Sequence, residues 1–358
     1  MIPDMKTSQN TNTRPWVVDA VRKIEADFQR SADTHLIRVP LPEFEGVHLY
    51  LKDESTHPTG SLKHRLARSL FLYALCNGRI VEGTQIIEAS SGSTAVSEAY
   101  FAKMLSLPFT AVMPRSTAQS KVDKITFYGG TCHCVDKASE MHGAAVALAK
   151  ESGGYFMDQF RYAERATDWR GNNNIAQSMF RQLEHEPFRM PHTVVMSAGT
   201  GGTSATIGRY IRYSGYNTKL VVVDPENSVF FDSYQSDDRS LASDTSSRIE
   251  GIGRPIVEAS FLPEVIDEMI KVPDAASIAT IHWLERRIGR RAGGSTGTNV
   301  WGALQVAKQM QANGVEGSIV TMMCDGGDRY LDTYYDPEWV AENIGDTSAY
   351  AANLPGAT

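Results

Sequence analysis

Apolar residues fall along this chain in short dense runs, and the segments between those runs carry helical spacing. Residues 16–28 place Val17, Val18, Val21, Ile24 and Phe28 near a 3.6-residue period, which predicts an amphipathic helix with one side in a core. His48, Leu49, Tyr50, Leu51 and Lys52 read as a strand, and residues 65–75 as a helix rich in apolar and small side chains. Residues 85–89 and 109–113 predict short buried strands, followed by helices over 94–105 and 120–128. Residues 193–197 and 220–223 are continuous apolar runs, the pattern of parallel strands covered on both faces, with a helix expected over 204–213 between them.

This alternation predicts an α/β fold of two parallel-sheet domains with helices on both faces and the site between the domains. The expected boundaries are a mobile tail at 1–14, an N-terminal domain at 48–165, a larger domain of 15–47 plus 166–340, and a tail at 341–358. Residues 232–247, rich in Ser and Asp, read as a surface loop or flap. No internal repeat is present.

Composition narrows the partners. The 358 residues suffice for two ordinary domains, and 42% hydrophobic with 22% charged residues is the balance of a globular protein. A formal net charge of -7 gives no positive field for nucleic acid or an anionic membrane, so a small molecule is the expected partner. No apolar run approaches the roughly 20 residues that span a bilayer. Four scattered cysteines and the absence of a secretory leader place the expected protein in a reducing cytoplasm. Cys132, His133 and Cys134 lie on an expected strand without the second ligand pair that structural zinc wants, so no metal is expected. Glu285, Arg286, Arg287, Arg290 and Arg291 read as a solvated basic helix face.

Three segments carry candidate chemistry. From Asp53 to Arg65 a Pro and Gly turn delivers Lys63 to a helix start, where the positive helix end and Arg65 would help keep the amine neutral for imine formation. Ser90, Ser91, Gly92, Ser93 and Thr94 follow a strand and open a helix; their hydroxyls and N–H groups suit a carboxylate, and equally an N-cap. Gly199, Thr200, Gly201, Gly202 and Thr203 also join a strand to a helix, and their N–H and hydroxyl groups can cradle a phosphate. The spacing fits neither a Walker loop nor the dinucleotide G-x-G-x-x-G, since Ser204 stands where a glycine is required.

In that order the segments resemble the cysteine synthase and cystathionine β-synthase family, pyridoxal-phosphate (PLP) enzymes of fold type II with a tryptophan synthase β-like architecture. Gly293, Gly294, Ser295, Thr296 and Gly297, the pair Gly251 and Gly253, and Asp325 to Tyr330 extend the resemblance over residues 45–335. It implies that Lys63 carries the cofactor covalently and moves the α-proton. Gly199, Thr200, Gly201, Gly202 and Thr203 would hold the phosphate, Ser93 the phenolic oxygen and Ser295 the pyridine nitrogen. Ser90, Ser91, Thr94 and Gln159 would bind the substrate carboxylate. A cysteine-like amino acid as substrate and a homodimer are implied in the same way.

The chain departs from typical synthases at Ser93, where asparagine is usual, at His64 in place of aspartate, and in residues 161–169 after Gln159 and Phe160. Together these resemble the cysteine desulfhydrase branch, which implies β-elimination on L-cysteine to hydrogen sulfide, pyruvate and ammonia. A cysteine synthase using O-acetylserine, or a related β-replacement enzyme, is the alternative. A non-catalytic regulatory member would lack the lysine or the phosphate loop, and both are intact. A nicotinamide-dependent dehydrogenase would share the fold and could use Asp224 at a strand end, but lacks the third glycine and leaves Lys63 without a role.

Overall fold

A computed structural model describes residues 13–31 and 33–356. The expected mobile tail lies outside the described residues except for its last two positions, and Arg14 already opens the first helix, Arg14–Gln29. Ten strands follow in the order β1 (Leu36–Val39), β2 (Val47–Asp53), β3 (Ile86–Ala89), β4 (Phe109–Pro114), β5 (Thr131–Val135), β6 (Tyr155–Phe156), β7 (Pro191–Ser197), β8 (Lys219–Pro225), β9 (Glu268–Val272) and β10 (Gly317–Met323).

The chain divides into two compact units. One takes its described residues from Met1–Ala32 and Lys63–Gln159, the other from Asp33–Leu62 and Phe160–Thr358. This differs from the expected boundaries on both sides of residue 48. The helix Arg14–Gln29 groups with the smaller unit because Glu25 receives two hydrogen bonds from Arg68, at 2.8 and 2.9 Å, and Asp27 receives Tyr100. β2 groups with the larger unit because it pairs along its length with β10.

The larger unit is built on a six-stranded sheet in the order β1-β2-β10-β7-β8-β9, parallel except for β1. Successive residues of a strand point to opposite faces, and here both faces are buried. Leu49, Val195, Val221, Val223 and Ile319 pack under the helices Asp274–Ile288 and Gly294–Ala312. Tyr50, Val194, Met196, Val222 and Val320 pack under Ile175–Gln182 and Gly202–Ser214. That is why the strand sequences read as unbroken apolar runs. The smaller unit carries a parallel four-stranded sheet, β5-β4-β3-β6.

Two irregular stretches of the sequence reading are more ordered than expected. Asp232 to Ser236 belong to the helix Phe230–Ser236, and Arg239 donates to the carbonyls of Phe261 and Glu258, both at 3.0 Å. The C-terminal stretch holds the helices Pro337–Asn343 and Ser348–Ala351, buries Leu354, and accepts a bond from the Trp283 indole on the Pro355 carbonyl. Among the described residues no helix is long and apolar enough to cross a membrane.

Candidate functional site

In the smaller unit Lys63 is the first residue of the helix Lys63–Cys76 and is half-buried. His64, the departure beside it, is a buried ring packed on Tyr100 and Phe101 at 5.2 and 4.9 Å, so its role is in the helix–helix contact. β3 ends at Ala89, and Gly92 in extended conformation caps the helix Ser93–Met104. Ser90 Oγ accepts the Gly92 N–H at 3.2 Å, which leaves its O–H to donate. Thr94 Oγ1 donates to Gln159 Oε1 at 2.8 Å, and both residues are buried. The sequence reading thus named two partners that the fold brings into direct contact across 65 residues.

The larger unit carries the stretch that leads to Lys63. Asp53 Oδ1 accepts the Ser55 N–H, Arg290 donates to Asp53 Oδ2 at 2.6 Å, and Arg329 donates to the Thr59 carbonyl at 2.6 Å. Leu62 N–H then bonds the Cys324 carbonyl at 2.8 Å. Arg286, Arg290 and Arg291 of the basic cluster are exposed, as a solvated face implies, and Arg287 is half-buried. Arg290 anchors the lysine turn, Arg287 pairs with Glu43 and stacks on Trp283, and Arg291 pairs with Glu285.

The Gly-rich loop joins β7 to the helix Gly202–Ser214, with Gly201 at φ +86° as its N-cap. A Cβ on Gly201 would stand 2.5 Å from the Ser260 carbonyl oxygen, and one on Gly202 2.7 Å from Ala163 Cβ. Gly199 backs onto the Gly251 carbonyl, and Gly253 N–H bonds the Ala198 carbonyl at 2.9 Å. The glycines are therefore demanded by protein packed behind the loop, while the first-turn N–H groups of the following helix have no intrahelical acceptors. Thr200 is buried and its Oγ1 accepts the Gly202 N–H at 3.3 Å; Thr203 lies half-buried in the first turn.

Ser295 is buried at the second position of the helix Gly294–Ala312 rather than in a loop. Gly293 N–H bonds the Asp325 carbonyl at 3.2 Å, and Asp325 Oδ2 accepts the Tyr330 hydroxyl at 2.8 Å. Burial, then the Asp325 charge, pushes the Tyr330 phenol well above its ordinary range. Asn299, one turn farther on, was missed by the sequence reading: its amide accepts the Ser197 N–H at 2.6 Å and donates to the Met322 carbonyl at 3.1 Å.

The family model for "Pyridoxal-phosphate dependent enzyme" matches residues 29–325. The chain belongs to this family. Pyridoxal phosphate is accordingly its cofactor. Among its relatives is the L-cysteine desulfhydrase Cds1 of Mycobacterium tuberculosis (strain ATCC 25177 / H37Ra), 58% identical over 96% of this chain and 94% of that protein. Cysteine synthase B of Campylobacter jejuni is 31% identical over 80% of this chain and 91% of its own. The crystal structure of O-ureido-L-serine synthase shares the fold, with a TM-score of 0.74 at 24% identity over 95% of this chain and 99% of that one.

The residues present fit a PLP phosphate. The N-terminus of a 13-residue helix and a hydroxyl on either side of Gly201 and Gly202 make an anion cradle. Asp224, by contrast, does not suit a cofactor ribose. It is buried near the end of β8 with Oδ2 on the Phe231 N–H at 2.8 Å, and the family match sets the dehydrogenase reading aside.

Proposed function

We propose that this PLP enzyme is an L-cysteine desulfhydrase, a carbon–sulfur lyase converting L-cysteine and water to hydrogen sulfide, pyruvate and ammonia. The observation that carries the proposal is 58% identity over nearly the full chain to a desulfhydrase, against 31% to a cysteine synthase. The stretch that departs from the synthase pattern supports it. Residues 160–166 belong to the helix Gln159–Ala166, and Arg209 of the phosphate-loop helix holds it by a bond to the Glu164 carbonyl at 2.7 Å and an ion pair at 2.8 Å.

The two units divide the work. In the smaller, Lys63 attaches the cofactor and takes the substrate α-proton on Nζ. Ser93 meets the cofactor's phenolic oxygen, and Ser90, Ser91, Thr94 and Gln159 hold the substrate carboxylate. In the larger, Gly199, Thr200, Gly201, Gly202 and Thr203 hold the phosphate by N–H and hydroxyl donation, and Ser295 bonds the pyridine nitrogen. PLP, when bound, supplies an aldehyde that bonds amines and a ring that accepts the electron pair released at Cα. The thiol then leaves the β-carbon, taking a proton, and water releases pyruvate and ammonia.

The protein is further proposed to act as a homodimer in the cytoplasm on this small substrate alone, with neither nucleic acid nor membrane as partner. The net charge of -7 supports the last point. The test compares two assays on PLP-loaded protein: pyruvate from L-cysteine, and cysteine from O-acetylserine plus sulfide. Faster turnover in the first supports the lyase; faster turnover in the second replaces it with a β-replacement synthase.

A further inference from the structure

Two glutamates with no exposed surface lie in the smaller unit outside the chemistry just described. Glu88 stands on β3 and Glu98 on the helix Ser93–Met104, each 0% exposed. Taking an ionised carboxylate out of water costs several kcal/mol, so each buried carboxyl needs donors for its oxygens or a proton of its own.

The two carboxyls are unequally bonded. Glu88 uses both oxygens as acceptors, Oε1 for the Ala89 N–H at 2.7 Å and Oε2 for the Gln159 N–H at 3.2 Å. Neither oxygen of Glu98 meets a donor among the described residues, and its carboxyl adjoins that of Glu88. A buried carboxyl without a donor is stable as the neutral acid, which has an O–H to give. Burial first, then the Glu88 charge, raises the Glu98 carboxyl well above the usual range. Burial raises Glu88 as well, against the opposing pull of the Gln159 N–H, with the nearby Asp158 charge adding to the rise.

The pair closes a circuit with the residues assigned to the substrate carboxylate. Thr94 and Glu98 are four apart on one helix and share a face. Thr94 bonds the Gln159 side chain, and the Gln159 backbone N–H rests on Glu88. Asp158, just before Gln159, stands at φ +49°, in the left-handed region that aspartate enters more readily than most residues. We propose that Glu88, through the bond its Oε2 accepts from the Gln159 N–H and with Glu98 beside it, is the positioning residue that sets Gln159 and Thr94 for the carboxylate of the amino-acid substrate. This rests on the assignment of Gln159 and Thr94 made above.

The same substitution has opposite consequences at the two positions. Glutamine at 88 offers one acceptor to two N–H groups and turns an amide toward the other. Glutamine at 98 still donates, as the protonated acid does. Glu88→Gln is expected to raise the KM for L-cysteine by about tenfold or more, the scale of one misplaced buried hydrogen bond, with kcat within about threefold. Bound PLP and the melting temperature stay near wild type. Glu98→Gln keeps both kinetic constants within about twofold, whereas Glu98→Leu, which removes the donor, behaves as Glu88→Gln does.

An unchanged KM in Glu88→Gln overturns the proposal, as does a loss confined to kcat. If Glu88→Gln fails to fold, Glu98→Leu against Glu98→Gln decides on the same criterion. Wild-type protein that makes no pyruvate contradicts the desulfhydrase reading and leaves this one to be decided by binding. L-serine, titrated against the absorbance of bound PLP, must then bind Glu88→Gln about tenfold more weakly than wild type. Equal binding overturns the positioning role.

Discussion

Asn299 Oδ1 accepts the Ser197 N–H at 2.6 Å, so one fully buried amide on the helix that carries Ser295 holds the last residue of β7, two positions before the phosphate loop begins. Its Nδ2 donates to the Met322 carbonyl on β10 and lies 3.4 Å from Cys324 Sγ. Helix, loop and sheet are therefore fixed by a single side chain.

Removing that amide strands Ser197 N–H and Met322 C=O inside the core, at about 1–3 kcal/mol for each orphaned group. Asn299→Ala is expected to lower the melting temperature and to weaken PLP retention, measured by equilibrium dialysis. Retention equal to wild type would mean the loop is held by other contacts.

Gly201→Ala meets two penalties. Its φ of +86° disfavours any side chain by about 1–2 kcal/mol, and the new Cβ would stand 2.5 Å from Ser260 O and 2.6 Å from Phe261 Cα. Stability and PLP affinity both fall. Thr203→Ala removes only a half-buried hydroxyl, so PLP affinity is expected to fall with the melting temperature nearly unchanged. The contrast separates packing of the loop from donation by it, and is read by calorimetry together with dialysis.

Burial raises the Asp224 carboxyl to about 7, against the opposing bonds from Ser228 and the Phe231 N–H. A carboxyl whose folded value lies above its unfolded one favours the fold while both states are protonated, and that contribution is lost as pH rises from the unfolded value to the folded one. Asp224→Asn keeps an acceptor for Phe231 and cannot ionise. It is expected to raise the melting temperature at pH 8 relative to wild type and to change it little at pH 4; an equal effect at both pH values would contradict the assignment.

How far the sequence could be read depended on where each element lies. β3, β4, β7 and β8 were legible because strands covered on both faces are short dense apolar runs, and the helix starts at Lys63, Ser93 and Gly202 because Gly, Pro and hydroxyl residues mark the turns before them. The helix Gly294–Ala312 was not legible as a helix. Residues 294–300 are buried on every side, so no polar face marks its start, and its glycines read as a loop although Gly297 and Gly302 bring it against Ser277 and Val223. The anchoring roles of Arg290 and Asn299 depend on contacts more than 100 residues apart and left no local signal. Glu98 did leave one, four residues after Thr94 on the same helix, but its neighbour Glu88 is on a strand.

Lys63→Ala is expected to fold and to retain the phosphate loop, yet to lose turnover and the absorbance of lysine-bound cofactor together. Persistence of either would remove Lys63 from its role.

The most direct test of the central claim is to give purified, PLP-loaded protein L-cysteine alone and follow sulfide and pyruvate over many turnovers. Sustained release of the two in equal amounts, absent from Lys63→Ala, is the expected result. No pyruvate from protein that still shows lysine-bound cofactor would contradict the desulfhydrase account.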